Sequence, residues 1–272
     1  MAHTLQDRYA ALVDMKLRAT LVTKDGVIFN NRYEGNPKAG AVKIPVRDTE
    51  VAASAYNKAE GVELGAGSTT YLTITIDKDY AVNELIDGYD AAAVPDNLVA
   101  DRLDSAGYSL ALQLDKDGIA ALESGGAAFG DTTALTKDTI YANMVDMRTK
   151  LSESNVPVER RFALVSPAVF ALILKSPEFI SASNLGDEVK QSGAAGRIAG
   201  FNIFESNNLA STTEVIAGHP DWCTRINEWQ VAPHVQDLAG SGKYIGASAV
   251  QGRKIYAHKV TKATAVLIKK KA

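Results

Sequence analysis

The chain has 272 residues, of which 46% are apolar and 22% are charged, a composition typical of a globular protein with its own core. The formal net charge of -3 gives no overall attraction to polyphosphate and argues against a dedicated reader of nucleic acid. With a single cysteine, Cys223, the chain offers neither an intrachain disulfide nor a CxxC-type metal motif.

The N-terminal region is predicted to contain a helix followed by a loop. Residues 4–20 carry apolar side chains at roughly helical spacing, including Leu5 and Tyr9, and they lack the continuous apolar core of a signal peptide. The segment is either an ordinary surface helix or an arm that packs on a neighbouring subunit. Residues 24–40 are rich in Gly and Asn and are predicted to form a loop. Nowhere does the chain hold the run of about eighteen apolar residues that a transmembrane helix needs.

Two strand-like runs come next, separated by a long polar excursion. Residues 41–46 and 69–77 alternate apolar and polar side chains, which predicts strands. The polar residues 47–68 lie between them. Because an isolated two-stranded ribbon is marginally stable in water, we expect another chain to supply part of its packing surface.

Two amphipathic helices are predicted in the middle of the chain. Residues 95–123 carry an apolar stripe near a 3.6-residue period, and they predict one long helix. Within it, Gly107 and Gly118 are each expected to weaken the helix by about 1 kcal/mol. Residues 136–154 predict a second helix, with Thr136 as a suitable N-cap.

The stretch from residue 151 to residue 209 holds the most ordered series of signals. Residues 162–165 predict a short apolar strand, and Ser166 with Pro167 opens a helix, since proline suits the first helical turn. After a polar loop, residues 196–200 lead into a second strand at 201–205. Further strands are predicted at 215–217, 227–232, 246–260 and 264–268. Helices and strands intermingle without regular alternation, so the predicted class is α+β.

This series resembles the A domain of tailed-phage major capsid proteins, where a similar strand–helix unit precedes a Gly-containing turn and a strand. The resemblance implies the Hong Kong phage-type coat fold, which encapsulins share. Its implied parts are an N-terminal arm (1–40), an E-loop (41–76), a P domain with a long spine helix (77–157), an A domain (158–250) and C-terminal strands returning to the P domain (251–272). In that family the E-loop lies across the adjacent subunit.

Groups that could carry chemistry fail the patterns they would need. The loop 193–200 is rich in Gly but lacks the Gly-Lys-Ser/Thr ending of a phosphate loop, so a turn is favoured. His219, Cys223 and His234 match no metal-ligand spacing. Ser166 is explained by helix capping. The sequence therefore predicts no enzyme, no cofactor and no metal.

Inter-subunit contacts are predicted at a few exposed-looking residues. Arg160 and Arg161 are either a solvated pair or partners of a carboxylate on a neighbour, since arginine is favoured at interfaces. The other contact candidates are Tyr56, Asn57 and Lys58 in the E-loop, and Leu5 and Tyr9 in the N-terminal arm. Lysines 269–271 are either a frayed basic tail, which we favour, or a weak contact with packaged DNA.

The resemblance implies a coat protein that assembles into an icosahedral shell of pentamers and hexamers around double-stranded DNA. It further implies a virion location, assembly in the host cytoplasm, scaffold and portal partners, and no membrane. Three alternatives remain open at this point: an encapsulin-like cargo shell, a nucleotide-binding enzyme using the loop 193–200, and another phage structural protein such as a tail tube.

Overall fold

A computed structural model describes residues 16–34, 40–46, 53–62, 69–93, 98–176, 196–240 and 242–272. Its helices are α1 (Gly88–Ala93), α2 (Leu98–Gly125), α3 (Ile140–Glu153) and α4 (Pro167–Lys175). The first strands are β1 (Ala41–Val46), β2 (Thr70–Thr75), β3 (Lys78–Ile86), β4 (Ala127–Ala128) and β5 (Phe162–Val165). The later strands are β6 (Arg197–Ile198), β7 (Phe201–Glu205), β8 (Thr213–Gly218), β9 (Cys223–Asp237), β10 (Ser248–Val260) and β11 (Val266–Lys270).

These strands form three sheets in the described residues. β1 and β2 form an antiparallel ribbon, and β3, β10 and β9 form an antiparallel three-stranded sheet. The third sheet has six strands in the order β4-β11-β8-β5-β7-β6, with β4/β11 and β5/β7 parallel. The predicted α+β class is confirmed.

The six-stranded sheet is the centre of the core, because its middle strands are buried on both faces. In β5, Ala163 and Val165 face a cluster that includes residues of α3 and α4. Phe162 and Leu164 face a second cluster with α2 and Phe29. A strand covered on both faces reads as a continuous apolar run, which is why this segment lacks polar alternation.

Local sequence signals account for several element boundaries. The Ser166 hydroxyl accepts a hydrogen bond from the Val169 amide at 3.4 Å, which confirms it as the cap of α4. Helix α3 begins later than predicted: Thr139 occupies the N-cap position, so the prediction for Thr136 is wrong. The Gly-rich loop ends in a tight turn between β6 and β7, where Gly200 has φ 87°, a backbone angle that suits glycine.

The strands of the C-terminal third are divided between two sheets. Strand β9 pairs with β10 beside β3, so it does not belong with the six-stranded sheet that holds most of the predicted A domain. Strand β11 lies between β4 and β8, so it does not return to the sheet of β3. The strand β3 itself was not predicted, because the turn residues after it dominated that part of the sequence.

The predicted frayed lysine tail is also wrong. Lys269 is 0% exposed, and its ammonium lies 2.7 Å from Asp131 Oδ2. That ammonium and the amide of Thr133 lower the pKa of Asp131 to about 2. The backbone amides of Lys271 and Ala272 donate to the carbonyls of residues 212 and 132. Lys269 and Lys270 therefore belong to the six-stranded sheet, and the last two residues are hydrogen-bonded to neighbouring loops.

The apolar contact between α2 and the sheet can be tested at Leu122, which is completely buried there. Leu122→Ala is expected to lower the free energy of unfolding by about 2–5 kcal/mol, because it leaves a cavity as well as losing apolar burial. Urea unfolding of the unassembled subunit measures the change. Leu17→Ala removes the same atoms at an exposed position and should change stability by less than about 0.5 kcal/mol. Equal midpoints for the two variants would contradict this packing.

Candidate functional site

The β1–β2 ribbon is attached to its own subunit by one face of its base. Ile44 and Ile74 are buried there against Ile226 of β9 and Ala257 of β10. Alternate residues on the opposite face are exposed, including Tyr71. The ribbon is therefore anchored by apolar burial at one face and leaves the other face uncovered.

The described part of the ribbon tip, residues 53–62, is open to solvent. Tyr56 is 75% exposed, and Lys58 is exposed beside it. Asn57 closes a small turn, with its side-chain oxygen accepting from the Ala59 amide at 3.0 Å and its backbone bridging to Gly61. The three E-loop contact candidates thus lie together on an exposed tip, where contact with another chain stays a prediction.

The two adjacent arginines have different environments. Arg160 is half exposed, donates to the Gly26 carbonyl at 3.0 Å and lies 3.6 Å from Asp221, which Arg32 also contacts at 2.6 Å. Its backbone has φ 59°, a left-handed conformation that turns it away from Arg161. Arg160 therefore remains available at the surface while being held by its own chain.

The prediction of an inter-subunit contact is wrong for Arg161, which is 1% exposed. Its guanidinium donates to four oxygens at the end of α3 and just beyond it, at 2.6–3.1 Å: the carbonyls of Arg148, Val156 and Pro157 and the hydroxyl of Ser152. The carbonyl dipoles at a helix C-terminus favour a cation, while burial lowers the pKa of Arg161. This arginine braces the turn between α3 and β5.

Leu5 and Tyr9 lie outside the described residues. From residue 16 onward, the N-terminal segment follows α2 of its own chain. Lys16 Nζ lies 2.6 Å from Asp101 Oδ2, and Arg18 pairs with Asp104. We call residues 16–23 the strap. In this structure the strap lies on α2 of its own chain.

A buried carboxylate in the middle of α2 holds the end of the strap. Asp115 is 2% exposed, and its Oδ1 accepts from the amides of Val22 and Thr23 and from the Thr23 hydroxyl at 2.8–2.9 Å. Its Oδ2 accepts from the Asn208 side chain at 2.8 Å. A buried charge requires such a full set of partners. Asp115 therefore joins the strap, α2 and the loop after β7.

A second polar cluster joins the strap to the three-stranded sheet. Arg225 of β9 donates to Asp25, to the Thr23 hydroxyl and to His258 of β10, each at 2.9 Å. Its guanidinium also lies 4.8 Å from the centre of the Phe29 ring. Burial is the main cause that lowers the pKa of His258 to about 3, and the cations Arg225, Lys254 and Lys78 add to it. The imidazole is therefore neutral and accepts from Arg225 through Nε2.

Of the groups considered for catalysis or metal binding, His219 and Cys223 are buried in this fold. His219 is buried, and its Nδ1 accepts from the Asp221 amide at 3.2 Å. Burial raises the pKa of the Cys223 thiol, while His234 lies exposed at the far end of β9. No group of three His, Cys, Asp or Glu side chains forms a potential metal site within the described ranges. None of the helices described is long and apolar enough to cross a membrane.

A model of the phage capsid protein family matches residues 89–242, more than half of the chain. The chain belongs to the phage capsid protein family. The matched region includes most of α1, the long helix α2, all strands of the six-stranded sheet except β11, and β9. This confirms the resemblance to tailed-phage major capsid proteins, and it makes this chain a virion structural protein that forms shells.

Solved structures show the same fold. The chain is similar to a protein of Mycobacterium phage Che8, with 20% identity, a TM-score of 0.80, and coverage of 97% of this chain and 96% of that one. The capsid structure of the cyanophage P-SCSP1u has 14% identity, a TM-score of 0.79, and coverage of 98% of this chain and 93% of that one. The mature capsid of bacteriophage PhiM1 has 15% identity, a TM-score of 0.66, and coverage of 96% of this chain and 92% of that one. A comparison with curated protein sequences finds no match.

Sequence reasoning missed Asp115 and Arg225, which are two of the buried charges in the capsid protein's interior. Asp115 was one acid among several on a long polar-faced helix, and its partners lie about ninety residues away in sequence. A usable signal was present: Asp101, Asp104, Tyr108 and Asp115 recur at helical spacing on one face of α2. No comparable pattern marks Arg225.

The Asp115 contacts predict a large effect of truncation. Asp115→Ala is expected to cost about 3–5 kcal/mol of the free energy of unfolding, because buried donors of the strap lose their acceptor. Asp115→Asn keeps one acceptor oxygen and should cost less. Lys116→Ala at the exposed neighbouring position is the control. Urea unfolding measures stability, and hydrogen exchange at the Val22 and Thr23 amides reports the contact directly. Retained protection in Asp115→Ala would contradict the assignment.

The depressed pKa of His258 predicts a pH dependence of stability. Below its ordinary pKa of 6.5 the unfolded chain binds a proton that the folded chain excludes, so stability present above pH 6.5 is lost as the pH falls towards about 3. The contribution is at most about 1.4 kcal/mol per pH unit. His258→Gln keeps an acceptor for Arg225 without titrating, so its unfolding free energy should fall less steeply.

The exposed His234→Gln is the matched control for removing an imidazole. The comparison is the slope of unfolding free energy against pH between pH 6.5 and about pH 4 for the three proteins, a range within that window. Parallel slopes for wild type and His258→Gln would show that His258 is not held neutral in the folded chain.

Proposed function

We propose that this capsid protein builds its shell by heterologous contacts that close into pentamers and hexamers, with the E-loop of each subunit lying on a neighbour. The observation that carries the proposal is the contrast within the E-loop ribbon. Its base is buried on its own subunit at Ile44 and Ile74, whereas its tip exposes Tyr56 and leaves a polar face uncovered. Exposed tyrosine and adaptable polar groups are typical of interface anchors.

The segments of the subunit follow from the sheets. The P domain would comprise the E-loop base, α2 and the three-stranded sheet β3-β10-β9, and the A domain would comprise the six-stranded sheet with α3 and α4. The residues on the E-loop tip, together with Arg160 and the arm residues Leu5 and Tyr9, are the proposed inter-subunit contacts. Many modest contacts of this kind add up in a closed lattice.

The shell would enclose double-stranded DNA and hold it by weak, nonspecific contacts. The net charge of -3 supports a wall that does not bind its contents tightly, because strong binding to phosphate requires many cationic contacts. Assembly would take place in the host cytoplasm with a scaffold and a portal protein. The role would be structural and not enzymatic, which agrees with the fully partnered or buried state of His219, Cys223 and Arg161.

The E-loop assignment is tested by shortening the ribbon without disturbing its base. Val46 and Thr70 are partners in the ribbon, so replacing residues 47–69 with Asn-Gly creates a two-residue hairpin of a favoured type. The variant should fold as a subunit but form no shells, as judged by circular dichroism and negative-stain electron microscopy. Lys43→Ala, at an exposed position of the ribbon base, is the control and should assemble. Normal particles from the shortened chain would overturn the proposed contact.

A further inference from the structure

The strap follows α2 in register over four successive contacts. Lys16 and Arg18 pair with Asp101 and Asp104, and the next contact is formed by the backbone of Ala19. Its amide donates to the Tyr108 hydroxyl at 2.7 Å, and that hydroxyl lies 3.3 Å from the Ala19 carbonyl. The last contact is the one described above between Asp115 and the strap residues 22 and 23. Both segments run in the same direction.

The geometry of the two segments explains this register. At 100° per residue, the helix positions 101, 104, 108 and 115 lie within about 60° of one another, so they form one stripe. Fourteen residues of helix rise about 21 Å, and seven intervals of extended chain span about 23 Å. One residue of an extended strap therefore covers about the same length as two residues of the helix. The strap can thus contact the polar side chains of the stripe one after another.

The two ends of the strap are held by different interactions. At its C-terminal end, Val22, Ile28 and Phe29 are buried in the core. At its N-terminal end, Leu17 is fully exposed, and both ion pairs are accessible to solvent. Ion pairs at a surface are individually weak and are screened by salt. The first half of the strap is therefore held mainly by charge, and it can open without unfolding the core.

We propose that the strap is an electrostatic latch that governs shell assembly by positioning the residues that precede it. Fifteen residues precede Lys16 in this sequence, and they include Leu5 and Tyr9. With the strap closed, that arm begins beside Asp101, three residues from the first described residue of α2. With the strap open, the nearest residue fixed to the core is Val22, so about 20 Å of free chain is added between the core and the arm. The occupant of the arm's contact is a second copy of this chain, so the inference rests on the proposed function.

The extra free chain weakens assembly through effective concentration. A tethered segment binds its site with an effective concentration that falls as the flexible tether lengthens. The penalty at one subunit is repeated at every subunit of a closed shell, so a small local change has a large effect on particle yield. Salt acts in the same direction, since the Debye length falls from about 10 Å at 0.1 M to about 3 Å at 1 M.

The test exchanges the charges of the strap and the stripe. Three variants are compared with wild type at about 0.1 M NaCl: the stripe-reversed Asp101→Lys/Asp104→Arg, the strap-reversed Lys16→Asp/Arg18→Asp, and the fourfold variant that combines them. Lys116→Glu, an exposed charge reversal elsewhere on α2, is the control. Particle yield is measured by sedimentation and electron microscopy. Hydrogen exchange at the Ala19 amide measures closure of the strap in the unassembled subunit.

Each single reversal is expected to remove protection at Ala19 and to lower the particle yield about tenfold or more, with circular dichroism unchanged. The fourfold variant should recover both protection and particles, and Lys116→Glu should resemble wild type. If wild type forms shells, two results would overturn the latch. One is a particle yield that does not fall in the strap-reversed or stripe-reversed variant, and the other is a yield that does not recover in the fourfold variant. If wild type shows protection at Ala19 but never forms shells, the proposed function fails while the strap itself stands.

An equimolar mixture of the two single-reversal chains separates two arrangements of the strap. Their charges complement each other only between copies, so a strap held on its own subunit predicts no rescue by mixing. Shells that form from the mixture, but from neither chain alone, would place the strap on a neighbouring copy and overturn the arrangement proposed here. Titration with NaCl adds a further check, because Lys16→Gln/Arg18→Gln should assemble with a weaker dependence on salt than wild type.

Discussion

The buried carboxylate of Asp115 is the constraint on which the arrangement of this subunit depends. A charge that is 2% exposed persists only with complete hydrogen bonding, and its partners come from two places: the strap, through Val22 and Thr23, and the loop after β7, through Asn208. Helix α2 is thereby fixed against the six-stranded sheet on one side and against the N-terminal segment on the other. Apolar packing of Phe29 on Gly118 strengthens the same junction, since a side chain at Gly118 would approach that ring to 3.1 Å.

The subunit combines a rigid interior with surfaces that its own chain leaves uncovered. The six-stranded sheet is buried on both faces, its C-terminal strand is tied by Lys269, and Arg161 caps the end of α3. The ribbon tip and the first half of the strap, in contrast, depend on exposed polar groups. A capsid protein needs both properties, because the body must keep its shape while the projecting parts meet neighbouring subunits of the shell. Low-stability segments are drawn from those with few buried contacts.

Sequence patterns predicted the elements whose signals are local. The strand at 162–165, the cap at Ser166 and the long helix follow from runs, caps and periodicity within a few residues. The failures have a common cause, which is dependence on distant partners. Arg160 and Arg161 are the same residue type side by side, but only Arg161 is buried, where it donates to oxygens at the end of α3 and just beyond it. From the sequence, Lys269 was predicted to belong to a charged tail, but an ion pair with the carboxylate of Asp131 allows its burial. The sheet that β11 joins is likewise set by pairing across the chain.

Each residue of the extended strap spans about the length of two residues of α2. This limits which insertions and deletions the region can accept among relatives. Loss or gain of one residue between positions 18 and 22 would move every later partner by two positions on α2, about 200° around its axis, onto the opposite face. The geometry therefore constrains the length of this segment more strictly than the identity of its side chains. An alignment of this protein with other shell-forming chains should place its gaps before residue 16 or in the E-loop tip, and an apparent gap within the strap would signal a different route for the arm.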